Sequence, residues 1–178
     1  MPLTKLNFTG QGAISSANMF SGCIIKTQKT DYTSTSTFSS AGDLTMSSPL
    51  DGTLSFTSVS ANSTLFVEAH FSPIVHEITY QSHLIRLFYS TSGSGGSYTR
   101  FTTSSQSNYQ PSATVSATNF SAKGFIANSS ANTTYNFKAV VDGHVNGHAF
   151  KPNRYCDDNS SLDTSQPSSF ILIQEFLN

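Results

Sequence analysis

Apolar and polar side chains alternate with a period of two along much of this chain. Residues 52–59 set Leu54 and Phe56 between Thr and Ser, and residues 133–141 set Tyr135, Phe137, Ala139 and Val141 between Thr134, Asn136 and Lys138. A period of two places successive side chains on opposite faces, so both stretches predict half-buried β-strands. Further strands are predicted over residues 65–71, 84–89, 98–102, 113–120, 123–127 and 149–155. Residues 169–177 are the most apolar. There Phe170, Leu172 and Phe176 share one face and Ile171, Ile173 and Leu177 the other, which predicts a strand buried centrally or at a subunit contact.

Turn signals separate these runs: Asp51-Gly52, residues 60–63, the three glycines within 92–97, residues 128–132, Asp142-Gly143, Asn146-Gly147 and residues 157–166. No stretch sustains the 3.6-residue period of an amphipathic helix, and the abundant β-branched residues favour strands. About eight or nine short strands with turns between them predict an all-β fold, an antiparallel β-sandwich of jelly-roll type over residues 41–178. A closed barrel is the alternative. Residues 1–40 show little alternation and only isolated apolar anchors, namely Leu6, Phe8, Met19, Phe20, Ile24 and Ile25. Such a segment gains little from folding on its own chain, so it is expected to be an extended N-terminal arm that orders against a neighbour.

Composition narrows the function. Of 178 residues only 11% are charged, less than half the usual share, while 37% are hydrophobic and 12% aromatic. About three residues in ten are Ser or Thr. With 14 Phe and 7 Tyr the chain can build a core, unlike a disordered tail. A net charge of -1 with scattered Lys and Arg argues against nucleic acid as a partner. No apolar run is long enough for a membrane span, and residues 1–10 lack the pattern of a secretory signal. Cys23 and Cys156 are too few for a disulfide framework, so free thiols are expected.

The chemical constellations are weak. His144-Val145-Asn146-Gly147-His148 has metal-ligand spacing, but its Gly pairs make it a turn rather than a helix face. His70, His76 and His83 flank strands without a carboxylate close in sequence. Asp157, Asp158, Asn159 and Asp163 offer oxygen donors but fail the calcium-loop spacing. Asn-x-Ser/Thr sequons begin at Asn7, Asn62, Asn119, Asn128, Asn132 and Asn159, and this composition yields about four by chance. Glycoside hydrolysis needs paired carboxylates, and Glu68, Glu77 and Glu175 form no obvious pair. No catalytic residue, metal site or cofactor is expected. Tyr98, Tyr109 and Tyr155, near loops, are candidates for stacking on sugar rings beside amide donors.

Several segments resemble the β-sandwich virion modules of tailed bacteriophages, especially those of aquatic and cyanobacterial phages. They are the Ser/Thr-rich residues 33–40, Leu54-Ser55-Phe56-Thr57 followed by 63–70, residues 84–89, residues 133–141 leading to Asn153-Arg154, and Phe170-Ile171-Leu172-Ile173-Gln174-Glu175-Phe176. The opening Lys5-Leu6-Asn7-Phe8 and Gly10-Gln11-Gly12 belong to the same pattern. The resemblance implies a non-enzymatic homotrimer on the virion surface, assembled in the host cytoplasm, whose closing strand lies near the threefold axis through Phe170, Ile171, Ile173, Phe176 and Leu177. Two roles follow from it. One is a capsid decoration or cement protein whose arm grips the major capsid protein; the other is a tail-fibre or spike tip that recognises host surface glycans.

Overall fold

The computed structural model describes residues 21–32, 44–46, 54–76, 80–109, 116–143, 150–152 and 169–178. Among them the chain is all-β, with ten strands: β1 Ile24–Tyr32, β2 Leu44–Met46, β3 Leu54–Thr57, β4 Ser63–His76, β5 Tyr80–Ser90, β6 Thr99–Tyr109, β7 Ser116–Asn128, β8 Thr134–Gly143, β9 Phe150–Pro152 and β10 Ser169–Leu177. They form two antiparallel sheets. Sheet 1 runs β1-β10-β4-β7, with β9 also pairing β4; sheet 2 runs β2-β8-β5-β6, with β3 also pairing β8. Chain neighbours β3 and β4, β4 and β5, β6 and β7, and β7 and β8 each lie in different sheets. The chain therefore wraps around the core as in a jelly roll, and the sandwich, not the barrel, is the fold.

The inward halves of the strands fill the space between the sheets. Leu65, Val67, Ala69 and Phe71 of β4 and Ile171 and Ile173 of β10 meet Ile85 and Leu87 of β5 and Tyr135, Phe137 and Ala139 of β8. All are nearly or fully buried. Period-two patterning thus becomes a two-sheet core directly, because each strand turns one set of side chains inward.

Three strands depart from the sequence reading: β7 joins two predicted runs, β2 falls where no strand is predicted, and β1 lies in the expected arm. The predicted runs 113–120 and 123–127 are joined, from Ser116 onward, in one strand, β7, which pairs with β4 from Ser63↔Asn128 to His76↔Ser116. Ser121 and Ala122 have weak strand preference, but the ladder opposite His70 and Ala69 carries the strand through them. Between Phe71 and Ile74 the register shifts. Pro73 lies in that shift, and a residue without an N–H fits where pairing is already interrupted.

The third departure concerns the expected arm. Its residues Ile24 and Ile25 open β1, an edge strand whose ladder with β10 runs from Ile24↔Phe176 to Tyr32↔Ser169. Hydrophobic alternation does not mark this strand, because Lys26, Gln28 and Thr30 occupy inward positions and only Tyr32, on the same side, packs on the core. Lys26 and Gln28 reach across the open side of the sandwich, where Lys26 Nζ donates to the Thr57 carbonyl and Gln28 Nε2 to that of Ser55 at 3.0 Å. These bonds serve carbonyls of β3, which among the described strands pairs with β8 alone, and the Lys26 ammonium also lies 4.5 Å from the Phe56 ring centroid. Polar donors over an edge strand satisfy its backbone and block further pairing. The opposite side closes differently: Thr102 Oγ1 donates to the Lys123 carbonyl at 3.1 Å, and the Phe101 ring fills the space left by Gly124. Leu6, Phe8, Met19 and Phe20 lie outside the described residues.

Candidate functional site

Among the described residues, the outward face of sheet 1 carries a group of apolar side chains that the core does not use. The registers set them in four cross-strand rows, read from β1 through β10 and β4 to β7. The first is Ile24, Phe176, Thr64 and Ala127; the second Thr27, Gln174, Phe66 and Phe125. The third is Lys29, Leu172, Glu68 and Lys123; the fourth Asp31, Phe170, His70 and Ser121. Phe125 is 68% exposed and Ile24 48%. Phe66 packs its ring 5.3 Å from that of Phe125, and Phe170 stacks on His70 at 5.1 Å. Aromatic and aliphatic side chains spread over the whole width of an outward sheet face are characteristic of an interaction surface.

The charges on this face are compensated within it. Lys29 Nζ lies 2.7 Å from Asp31 and Lys123 Nζ 3.2 Å from Glu68, and the Lys29 ammonium sits 4.8 Å from the Phe170 ring centroid. Such a surface can be covered without stranding a lone charge, whose burial would be costly. Burial holds the His70 imidazole below its ordinary value; the Glu68 carboxylate pulls it upward and the Lys123 ammonium pushes it further down.

One end of this face is anchored by a buried polar network. Glu175 is fully buried at an inward position of β10. Its carboxylate accepts the backbone N–H groups of Val59 at 2.8 Å and Ser60 at 3.0 Å and the Ser63 hydroxyl at 2.7 Å. Asn128 Nδ2 donates to the Ser60 carbonyl and to Ser63 Oγ, and its Oδ1 accepts from the Tyr135 hydroxyl at 2.9 Å. The network ties the β3–β4 turn to the end of β10, next to Phe176. At this turn Asn62 adopts a left-handed conformation, φ 61°, which Asn tolerates better than most residues.

The predicted closing-strand interface therefore needs revision at two positions. Phe170 and Phe176 face outward and are half-buried, and Leu177 is half-buried at the strand end. Ile171, 3% exposed, and Ile173, fully buried, face the chain's own core. Both faces of β10 are apolar because one builds the sandwich and the other the outer surface. Phe66 and Phe125 of the same surface were missed. They belong to strands seen in the sequence, but only the cross-strand register brings them beside β10.

The other sequence candidates are dispersed. Tyr98 lies at the base of the β5–β6 hairpin, and Tyr109 ends β6; Tyr155 lies outside the described residues. Glu68 and Glu175 point to opposite sides of sheet 1, so they do not share a cleft. The sequon residue Asn128 is 3% exposed and held by its own hydrogen bonds. Cys23 is a free thiol; Cys156, His144 and His148 lie outside the described residues. Among the described residues no group of three His, Cys, Asp or Glu side chains is placed to hold a metal ion.

No protein-family model and no curated protein matches the chain. Among solved structures, it is similar to that of the TNF protein Eiger from S. frugiperda, with 10% sequence identity and a TM-score of 0.38. That likeness covers 70% of this chain and 64% of the other, so the chain spans somewhat less than two thirds of the structure it matches.

Proposed function

We propose that this chain is a non-enzymatic structural subunit of a tailed-phage virion: a homotrimeric capsid decoration protein whose copies meet through the outward face of sheet 1. The observation that carries the reading is the row-by-row array of Ile24, Phe176, Phe66, Phe125, Leu172 and Phe170 on that face, with its four charges already paired. Apolar area removed from water stabilises association by about 25 cal/mol per Å² before the entropic costs of binding are subtracted. A face whose charges are internally neutralised suits this better than one that demands new ion pairs. The scarcity of charge along the whole chain supports dense packing on a particle for the same reason. In this reading the residues before β1, including Leu6, Phe8, Met19 and Phe20, contact the major capsid protein, and Ile24 begins the part of the chain that belongs to the sandwich.

Two experiments test the reading. Sedimentation of the intact protein gives a trimer if it holds, and Phe125→Asp gives a folded monomer. Imaging of intact particles gives density at local threefolds of the capsid. Density at the tail tip alone replaces decoration with the receptor-binding role, and a protein that stays monomeric at high concentration removes the assembly face.

A further inference from the structure

The outward face of sheet 2 differs in kind from that of sheet 1. Arg100 of β6 and Lys138 of β8 are both cross-strand neighbours of Phe88 on β5, so the three side chains form one outward row, Arg100-Phe88-Lys138. With strands about 4.8 Å apart, the two cations rise from backbones about 10 Å apart. The Lys138 ammonium sits 4.5 Å from the Tyr98 ring centroid and 5.5 Å from that of Phe88. Tyr98 is itself held at the hairpin base, its hydroxyl donating to the Ser94 carbonyl at 3.3 Å. Beside it lies the exposed Ser/Gly tip of residues 91–97, where Gly93 takes a positive φ of 88°.

Lys29 and Lys123 on sheet 1 each have a carboxylate within ion-pair distance, whereas among the described residues Arg100 and Lys138 have none. The Lys138 ammonium is held over two aromatic rings and Arg100 stands exposed across the same row, and two such cations with no carboxylate partner among the described residues attract an anion. The ammonium over Tyr98 also occupies a ring face that a neutral sugar would stack on. Recognition by charge is therefore favoured over stacking alone.

We infer that the base of the β5–β6 hairpin, formed by Tyr98, Arg100, Phe88 and Lys138, binds an acidic polysaccharide. Its carboxylates meet Arg100 and Lys138, and its hydroxyls meet the serines of the hairpin tip. A polysaccharide fits better than a nucleic acid, because the chain has only 9 Lys and Arg against 10 Asp and Glu and these cations are scattered along the sequence, where a phosphate backbone calls for a clustered basic surplus. This site is independent of the assembly face on sheet 1.

The test is affinity electrophoresis of the full chain through gels containing polygalacturonate, neutral dextran or single-stranded DNA. Polygalacturonate is expected to retard the protein, dextran to leave it unaffected, and added salt to weaken the retardation. Arg100→Gln and Lys138→Met each reduce affinity about two- to fivefold, the range of exposed charge pairs, and the double variant reduces it further. Arg100 is exposed and outside the core, so Arg100→Gln reports on binding even if Lys138→Met perturbs folding. Phe125→Asp leaves the retardation per subunit unchanged, which separates this site from the assembly reading. Equal retardation by dextran, stronger retardation by DNA, or an unaffected folded double variant overturns the proposal.

Discussion

Glu175 accepts the Ser63 hydroxyl at 2.7 Å inside the sandwich, so a carboxylate at the end of the last strand anchors the start of β4. With the Val59 and Ser60 N–H groups it completes a three-donor cradle. A carboxylate so fully hydrogen-bonded offsets its own burial, whereas its removal strands the donors.

Glu175→Ala is therefore expected to destabilise the fold by about 2–5 kcal/mol, since several buried donors lose their partner together. Urea unfolding of both proteins checks this. Loss of under about 0.5 kcal/mol, the range of ordinary surface changes, contradicts the anchoring role.

Ile173→Ala and Phe125→Asp are expected to fail differently. Ile173 is fully buried in the core, so its truncation costs about 2–5 kcal/mol of stability. Phe125 is 68% exposed, so Phe125→Asp leaves the thermal midpoint of the monomer nearly unchanged and weakens self-association about tenfold or more. Thermal unfolding paired with sedimentation distinguishes the two. An association constant unaffected by Phe125→Asp rules out this face.

Gly124→Ala tests the closure of the sandwich between β6 and β7. An added Cβ would lie 2.8 Å from the Phe101 ring and 3.1 Å from Thr102 Cβ. The expected cost is about 1–3 kcal/mol from overpacking. Phe101→Leu in the same chain recovers part of it, which a double-mutant cycle measures.

His70 gives the fold a pH dependence of defined sign. Burial against Phe170 lowers its pKa from the ordinary 6.5, with Glu68 opposing and Lys123 adding to the effect. The unfolded chain then takes up the proton first as pH falls. The contribution is present above the ordinary histidine pKa and is lost as pH drops through it toward the lowered folded value. Denaturation midpoints at about pH 5 and about pH 8 are expected to differ less in His70→Gln than in the parent. If the two proteins respond identically, His70 does not contribute.

The alternation of Leu54 with Phe56, of Tyr135 with Phe137 and Ala139, and of Ile171 with Ile173 determined the all-β class and most of the core, because a period of two leaves a strand little choice of inner face. The same parity marks Glu175 as inward, two residues after Ile173, although its hydrogen-bond partners lie 112 to 116 residues away in the chain. Three things were decided only by the tertiary structure. β1 became a strand because β10 and β3 offered it partners, and its polar inner face hid that from a reading based on hydrophobicity. Phe66 and Phe125 became one surface with Phe170 and Phe176 because the β10–β4–β7 registers aligned them. Arg100 and Lys138 became neighbours of one phenylalanine for the same reason. Period and propensity are local properties and can be read along the chain; cross-strand register couples residues far apart in sequence, and it is set by the packing of the whole sandwich.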